Sequence, residues 1–273
     1  LVGITSLRAL ATTNPEIKLK EIMVKNVHKV RPETDQEEVA QIVAQYNYLA
    51  VPVVDADNIL LGIVTVDDVV DVIREEATED FLQMAGIGKD REILMRSTFD
   101  NVKLRLPWLF ASWIGGTIAA YIIGKFEPFL ESMIALAAFI PVIIGMGGNV
   151  GTQSSTIIVR GFATGRLELS KVGIVIWKEM RVGLILGIFY GLLLGIVSMF
   201  QFINAPSELG FVLGLSICVS MIIATSIGTL VPIFLRKLDV DPAIASGPFV
   251  TTAIDILGIL AYFLIAISLM SKI

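Results

Sequence analysis

Long apolar stretches separated by short polar loops dominate the chain from about residue 105 onward. Five of them run over about 107–124, 132–159, 173–203, 209–235 and 243–270. Because about 17 to 25 residues of helix cross a bilayer, each stretch predicts one transmembrane helix. Pro107 opens the first stretch, which predicts a place in the first turn of a helix, where the missing N–H leaves no hydrogen bond unmade.

A different pattern covers residues 19–75, where helical and strand periodicities alternate. The segment EEVAQIVAQY is amphipathic with helical spacing, AVPVVD and LLGIVT are typical of short buried strands, and DDVVDVIREE begins a second helix. The pattern predicts a small α+β domain with the order β-α-β-β-α. Residues 1–18 look like the end of a preceding copy, since GITSLRAL parallels GIVTVDDV. That parallel, and a start without Met or a signal-peptide layout, predict a piece of a longer protein.

The composition indicates an integral membrane protein and excludes several other classes. The 273 residues are 55% hydrophobic, with a mean hydropathy of +0.78. The net charge of −5 is concentrated before residue 105, which argues against nucleic acid as a partner. A single cysteine leaves no disulfide framework, and His28 as the only histidine excludes His-rich zinc or iron sites.

Basic residues mark one side of the membrane. They occupy the loops after the second and fourth stretches and the start of the third: Arg160, Arg166, Lys171, Lys178, Arg181, Arg236 and Lys237. The opposite loops carry Glu127, Glu131 and Glu208, with Lys125 as an exception. The positive-inside rule therefore predicts a plasma or inner membrane protein with a cytoplasmic N-terminal domain and an external C-terminus.

Asp255 is an acidic residue inside the fifth stretch, where a carboxylate in hydrocarbon costs about 2.5–3.5 kcal/mol. Helical spacing puts Gly247, Thr251, Gly258 and Tyr262 on the same face. Small residues and hydroxyls beside a lone carboxylate favour the lining of a cation path. The alternative is a buried aspartate that is hydrogen-bonded to a neighbouring helix.

The second and third stretches carry patterns of small and polar residues. One side of the second is expected to hold Gly145, Gly148, Thr152, Ser155 and Thr156, with Asn149 and Gln153 close by. These groups either bond neighbouring helices or offer oxygens to a hydrated ion, and the carboxylate of the fifth stretch favours the ion. In the third stretch glycine recurs at every fourth residue from Gly183 to Gly195, which predicts a close-packing ridge.

An acidic connector, IREEATEDFLQMAG, leads from the α+β domain into a linker that ends at residue 104. Its helix carries a run of carboxylates: Asp71, Glu75, Glu76, Glu79 and Asp80. Only Arg74 offsets them, and like charges at i,i+4 destabilise a helix. Divalent cations such as Mg²⁺ would relieve the repulsion, because they bind carboxylate oxygens. A cation sensor and a solvated charged helix both remain open on the residues alone.

Taken together, the chain resembles the MgtE family of magnesium channels, with a CBS domain over 19–75. The resemblance rests on PVIIGMGGNVGTQSST and DPAIASGPFVTTAIDILG as well as on the order of the segments. It implies an α-helical integral membrane protein with a five-helix pore domain over 105–273, a connecting helix and linker over 76–104, and a small α+β CBS-type domain. Family members also have a helical N-terminal domain and a complete first CBS repeat, and by this resemblance we expect the chain to be a piece without that domain and without most of that repeat.

The resemblance further implies a homodimeric, Mg²⁺-selective channel that admits cations to the cytosol and closes when cytosolic Mg²⁺ binds. Asp255 would be the pore carboxylate and Thr251 would offer a backbone oxygen. Thr152 and Gly247 would lie at the cytoplasmic mouth, where some members have Asn. The implied sensor residues are Asp55, Asp68, Asp71, Glu76, Glu79 and Asp80. Thr65 and Asp68 match the [ST]-x-x-D pattern with which CBS domains hold ATP or another adenine nucleotide.

Other functions are weighed against this one. A transporter of Mn²⁺ or Co²⁺ would use the same site, and a Mg²⁺ sensor that transports nothing would leave the polar second stretch without a purpose. An intramembrane aspartyl protease needs two membrane aspartates, and only Asp255 qualifies, so an enzyme is disfavoured. An anion channel needs basic groups deep in a span, and no Lys or Arg lies deep in any of the five stretches.

Overall fold

The computed structural model describes residues 1–87, 95–203, 206, 208–245 and 247–270, except the side chains at 132 and 245. The chain divides into two compact units, Leu1–Ala77 and Thr78–Ile273. The first unit contains short helices and two strands, and the second consists of long helices. The predicted fold class, a helical membrane protein with a small α+β part, is confirmed.

The first unit is built on a two-stranded antiparallel sheet, in which β1 (Ala50–Val54) pairs with β2 (Leu60–Thr65). Val30 adds a parallel bridge to Val53 of β1. Three helices precede the sheet: α1 (Leu7–Thr12), α2 (Leu19–Ile22) and α3 (Gln36–Tyr46). From the bridge at Val30 onward, the order of elements is the predicted β-α-β-β-α.

Helix α3 shows why this segment folds as its sequence predicts. The Asp35 side chain accepts the N–H of Glu37 at 2.8 Å, and Asn47 ends the helix with a left-handed φ of 53°. The apolar face of the helix buries Val39 and Val43 in the core beside β1. The caps and the buried face together fix the length and the rotation of α3.

Helix α4 (Val66–Met84) is continuous and contains both the last helix predicted for the α+β domain and the acidic connector. The boundary expected between residues 75 and 76 therefore falls inside a helix. The division between the two compact units falls at nearly the same place, after Ala77.

The second unit contains, among its described residues, five helices that are long and apolar enough to cross a membrane. They are α5 (Thr98–Lys125), α7 (Ile134–Ala163), α8 (Val172–Gln201), α9 (Glu208–Lys237) and α10 (Pro248–Met270). Short elements join them: α6 (Glu127–Ser132) and the 3₁₀ turns Leu169–Lys171 and Pro242–Ala245. The five predicted spans are thus confirmed.

The expectation for Pro107 is wrong. Helix α5 begins at Thr98, so the proline lies in the interior of the helix and not in its first turn. Ser97 starts the helix early, because its hydroxyl oxygen accepts the N–H of Asp100 at 3.3 Å and its hydroxyl donates to the Asp100 carboxylate at 2.7 Å. The apolar pattern marks only the hydrophobic part of a helix, and the polar turns before Pro107 lack that signal.

Helix α9 forms the centre of the helical unit and packs against α7, α8 and α10, while α5 packs against α10. Leu213, Ile217 and Met221 of α9 are fully buried in the main core. The position of α9 explains why its flanking helices carry so many small residues, since each must approach it closely.

The glycines of α8 provide that close approach, and the predicted ridge is confirmed with α9 as its partner. A Cβ at Gly187 would lie 2.8 Å from the Cα of Cys218, and one at Gly191 would lie 2.6 Å from the carbonyl oxygen of Gly214. These neighbours are backbone atoms, which cannot rotate away. The contact therefore excludes any side chain at these positions.

We expect Gly191→Ile to destabilise the helical unit, because the new side chain would meet the carbonyl of Gly214 and push α8 away from α9. Overpacking of this kind costs about 1–3 kcal/mol. Thermal unfolding and gel filtration in detergent measure the effect. Gly173→Ile is the control, since a Cβ at Gly173 of the same helix meets no atom within 4 Å. An unchanged melting temperature and elution profile for Gly191→Ile would contradict the prediction.

Candidate cation site

Asp255 lies about two turns into α10, where it is half-buried. Its Oδ1 atom is 4.0 Å from the position that a Cβ on Gly148 of α7 would occupy. Among the residues that the structure describes, no hydrogen bond or ion pair engages the carboxylate. The side chain therefore lies against α7 without being tied to it, which disfavours a structural aspartate bonded to a neighbouring helix.

The approach of Gly148 to Asp255 defines a seam between α7 and α10, and a threonine lies one helical turn from it on each helix, Thr152 after Gly148 and Thr251 before Asp255. The Thr251 hydroxyl, one turn before Asp255, donates within its own helix to the carbonyls of Gly247 at 3.3 Å and Pro248 at 3.2 Å. The hydroxyl of Thr152, which is exposed on α7, donates to the Gly148 carbonyl at 2.8 Å. Each hydroxyl uses its hydrogen inside its helix, so its oxygen lone pairs can face a hydrated cation.

The polar residues of α7 divide into two sets. Those on the exposed side are Asn149, Thr152, Gln153 and Thr156. The expectation that Ser155 shares that side is wrong, because it is 0% exposed. Ser155 follows Gly151 by one turn, and Gly151 belongs to the face of α7 that packs against α9 and α10.

The face of α10 predicted from Gly247 to Tyr262 is open at its start and buried at its end. Beyond Asp255 it is closed: a Cβ on Gly258 would lie 3.1 Å from the Ser220 hydroxyl oxygen, and the Tyr262 hydroxyl donates to the Leu136 carbonyl at 2.8 Å. Both residues are buried. Within one chain, the open part of the face therefore ends at Asp255.

Gly247 lies directly before α10, and the last turn of α4 packs against it. A Cβ on Gly247 would be 2.8 Å from the Met84 carbonyl oxygen, and one on Gly86 would be 3.1 Å from the Pro248 ring. Gln83, which is 1% exposed, donates to the Asp241 carboxylate at 3.0 Å. The end of the acidic helix thus contacts the start of the helix that carries Asp255.

The acidic residues predicted on α4 occupy different environments. Asp71 is exposed, and Glu76, Glu79 and Asp80 are half-buried. Glu76 accepts a hydrogen bond from the Gln36 amide, and Glu79 accepts one from Gln83 at 3.2 Å. In the described part of the chain, no three acidic, histidine or cysteine side chains converge as a ready metal site. A cation held by these carboxylates would need ligands from water or from another subunit.

The two remaining predicted sensor residues lie in the α+β unit. Asp55 organises the turn between β1 and β2, because its Oδ1 accepts the N–H groups of Asp57 at 3.0 Å and Ile59 at 2.8 Å. Asp68 accepts the Thr65 hydroxyl at 2.7 Å. The pKa of the adjacent Asp67 lies below its usual value. The larger cause is hydrogen bonding from the Thr65 side chain, and the next is hydrogen bonding from the Asp67 backbone N–H. Thr65 and Asp68, the pair predicted for a nucleotide, are thus in direct contact.

Sequence reasoning missed three polar residues of the helical unit. Gln83 and Asp241 connect α4 to the loop between α9 and α10, and no pattern in the sequence pairs residues so far apart. Glu179 of α8 is buried and accepts the Ser154 hydroxyl at 2.8 Å. A signal for Glu179 was present, since it precedes Gly183 by four residues and so continues the glycine ridge by one turn.

Comparison with known proteins places these features in a family. Residues 140–265 match the MgtE profile, described as a divalent cation transporter, and residues 19–75 match the CBS domain. The chain is 43% identical over 271 residues to the magnesium transporter MgtE of Bacillus subtilis (strain 168). It is 41% identical over 269 residues to the protein of that name in Thermus thermophilus. Each alignment covers 97% of this chain. Over 97% of its length the chain is therefore similar to MgtE transporters, and residues 140–265 match that family's profile.

The chain spans 58% of the B. subtilis relative and 59% of the T. thermophilus relative. A crystal structure described as the soluble part of a magnesium transporter shares 49% identity, covers 28% of this chain and 30% of that chain, and has a TM-score of 0.28. The names of these MgtE relatives describe transport rather than catalysis, in agreement with the prediction that the chain is not an enzyme.

We expect Gln83→Leu to destabilise the protein, because it leaves the Asp241 carboxylate without the amide donor that bridges α4 and the loop between α9 and α10. Hydrogen bonds to charged groups contribute about 1.5–3 kcal/mol. The measurement is the melting temperature in detergent. Gln45→Leu makes the same change at an exposed position and is the control. Equal melting temperatures for the two variants would contradict the prediction.

Proposed function

We propose that the protein conducts Mg²⁺ through a membrane pore formed by α7 and α10, with Asp255 as the carboxylate that binds the ion in transit. The observation that carries this proposal is the half-buried Asp255 carboxylate, which faces Gly148 without a partner among the described residues. Placing a carboxylate in an apolar helix costs free energy, and among the described residues no hydrogen bond or ion pair to Asp255 offsets that cost. The relatives' name, magnesium transporter, supports the choice of ion.

Two subunits related by a two-fold axis would complete the pore. A two-fold axis next to the α7–α10 seam would bring two Asp255 side chains together. Their combined charge of about −2 would match a divalent cation, and without the ion the two carboxylates would repel each other. The open end of the seam within one chain, which carries Thr152 and Thr251, would then face the axis rather than lipid.

The chemistry of the seam suits an ion that keeps most of its water. Mg²⁺ dehydrates reluctantly and is usually held by one or two carboxylates together with several waters. The hydroxyl oxygens of Thr152 and Thr251 would bind the outer waters, with the amide of Asn149 on the same exposed side. Because no ligand here replaces the inner shell, the ion could enter and leave rapidly. Mn²⁺ and Co²⁺ are the alternative cargoes, and uptake assays separate them.

We further propose that the N-terminal domain and the basic loops are cytoplasmic, so that the membrane potential drives cations inward. That potential contributes about 2.3 kcal/mol per charge per 100 mV. The proposed organisation is a first-repeat remnant over 1–18, a CBS domain over 19–75, a connecting region over 76–104 and a pore domain over 105–273.

Closure by cytosolic Mg²⁺ is the proposed regulation, with Asp55, Asp68, Asp71, Glu76, Glu79 and Asp80 as its ligands. The contacts of Met84 with Gly247 and of Gly86 with Pro248 support this proposal, because a shift of the end of α4 must displace the start of α10. Mg²⁺ would neutralise the repelling carboxylates of α4 and so favour one position of that helix. Binding of an adenine nucleotide at Thr65 and Asp68 stays a prediction.

We expect Asp255→Ala and Asp255→Asn to reduce Mg²⁺ uptake into liposomes to background, because each removes the charge that binds the ion. Uptake is followed with a Mg²⁺-sensitive dye at a fixed membrane potential, in parallel for Mn²⁺, Co²⁺ and Ca²⁺. Asp239→Asn removes the same charge from an exposed turn and should transport normally. Normal Mg²⁺ uptake by Asp255→Asn in a correctly folded dimer would refute the pore assignment.

Replacing three acidic residues of α4 together, as Glu76→Gln, Glu79→Gln and Asp80→Asn, should give a channel that cytosolic Mg²⁺ no longer closes. Patch recordings across a series of cytosolic Mg²⁺ concentrations measure the block. The control removes three exposed carboxylates outside α4 through Glu21→Gln, Glu33→Gln and Glu38→Gln. If the α4 variant is blocked like the control, the acidic run is a solvated helix and not a sensor.

A further inference from the structure

Glu179 of α8 is a second carboxylate inside the helical unit, and the pore proposed above does not use it. It is 6% exposed, although its neighbours Lys178 and Arg181 are exposed cations. The Arg181 guanidinium is directed away, since its Nε donates to the Trp177 carbonyl at 3.3 Å and its Cζ lies 5.8 Å from the centre of the Trp177 ring. Among the described residues, no cation pairs with Glu179.

The one hydrogen-bond partner of Glu179 in the described part of the chain is Ser154 of α7. The Ser154 hydroxyl donates to Oε2 of Glu179 at 2.8 Å, and Ser154 is itself 3% exposed. A hydrogen bond to a carboxylate is stronger than one between neutral groups, and here water does not compete for either partner. The bond therefore ties α8 to a fixed point on α7.

That point lies on the opposite side of α7 from the open seam. At 3.6 residues per turn, Ser154 is rotated by about 200° from Thr152 and by about 140° from Asn149. Thr152 and Asn149 are exposed, whereas Ser154 is buried. A rotation of α7 that moved Thr152 away from the seam would therefore have to break the bond between Ser154 and Glu179.

The bond is also close to the place where α7 meets α10. Gly151 is one turn before Ser154, and a Cβ on Gly151 would lie 2.0 Å from Cδ1 of Ile254, the residue next to Asp255. At this contact α7 has no side chain that could interlock with α10. A polar bond one turn away supplies the rotational restraint that a glycine contact lacks.

We propose that Glu179 is a positioning residue of the cation path, which acts through Ser154 to hold α7 in the rotation that turns Asn149 and Thr152 toward the side of Asp255. The inference rests on the proposed function, because it assumes that cations pass along this seam. The distance from the side-chain oxygens of Asn149 and Thr152 to the Asp255 carboxylate would determine which hydrated cation fits between them. Glu179 would therefore affect the choice among cations as well as the rate of uptake.

The test compares Ser154→Ala and Glu179→Ala with Ser155→Ala in the full-length protein reconstituted into liposomes. Ser155 is the matched control, because it is the next residue, equally buried, and its hydroxyl has no hydrogen-bond partner among the described residues. We expect Ser154→Ala and Glu179→Ala to lower Mg²⁺ uptake at least tenfold and to change the ratio of Mg²⁺ to Co²⁺ uptake. Ser155→Ala should leave both unchanged.

Two further variants separate the bond from the charge. Glu179→Gln should recover most of the uptake and the normal ion ratio, because its amide oxygen can accept the same hydroxyl. The double variant Ser154→Ala with Glu179→Ala should be no worse than either single change, since both remove one bond.

Two outcomes would overturn the proposal. Normal uptake and ion ratio in Ser154→Ala and Glu179→Ala, with only a lower melting temperature, would make Glu179 a structural residue. Loss of uptake in Glu179→Gln but not in Ser154→Ala would show that the charge acts without the bond. Asp255→Asn, measured in the same series, distinguishes these results from a failure of the proposed function, because normal uptake by that variant would refute the cation path itself.

Discussion

The close backbone contact of α7 with α9 and α10 is the constraint on which the rest of the helical unit depends. A Cβ on Gly228 of α9 would lie 2.3 Å from the Gly151 carbonyl oxygen, and a Cβ on Gly151 would collide with Ile254. The hydrophobic effect does not drive helices together in lipid, so contact of this closeness supplies the van der Waals attraction. It also fixes Ile254, and with it the direction in which Asp255 leaves α10.

The polar groups of the helical unit then fall into two kinds. In an apolar interior a hydroxyl or carboxylate needs a partner, and Tyr262 and Ser154 each donate to an acceptor on another helix. The buried Ser155 hydroxyl lacks a partner among the described residues, and so does the half-buried Asp255. The cost is greater for Asp255, because its side chain is charged. A carboxylate that holds helices in place would be bonded to its neighbour, as Glu179 of α8 is to Ser154. The contrast between the two acids is therefore the main argument that Asp255 serves a mobile ligand.

Much of this arrangement could be predicted from the sequence, for identifiable reasons. Length and hydropathy indicated the five spans, and the four-residue glycine period indicated the packing ridge of α8, because both depend on local spacing. Ser155, Pro107 and Glu179 show where local spacing fails. The burial of Ser155 depends on which helix covers that side of α7. The interior position of Pro107 depends on a helix cap ten residues earlier. The burial of Glu179 is not evident from the sequence, because Lys178 and Arg181 beside it resemble the end of a span.

The continuity of α4 adds a mechanical argument that neither the motifs nor the composition contain. Because one helix runs from Val66 to Met84, Glu79 and Asp80 lie in the same helix as the Met84 carbonyl, which contacts Gly247. Repulsion among like charges destabilises such a helix most where the charges are closest, so a bound cation would change the stability of the turns that reach this contact. Gln83 is buried and donates to both Glu79 and Asp241, so it is the point at which that change would reach the loop before α10. In the proposed regulation, a charge-dependent helix that is bonded through a buried amide to the loop before α10 would need no large rearrangement to alter the seam at Asp255.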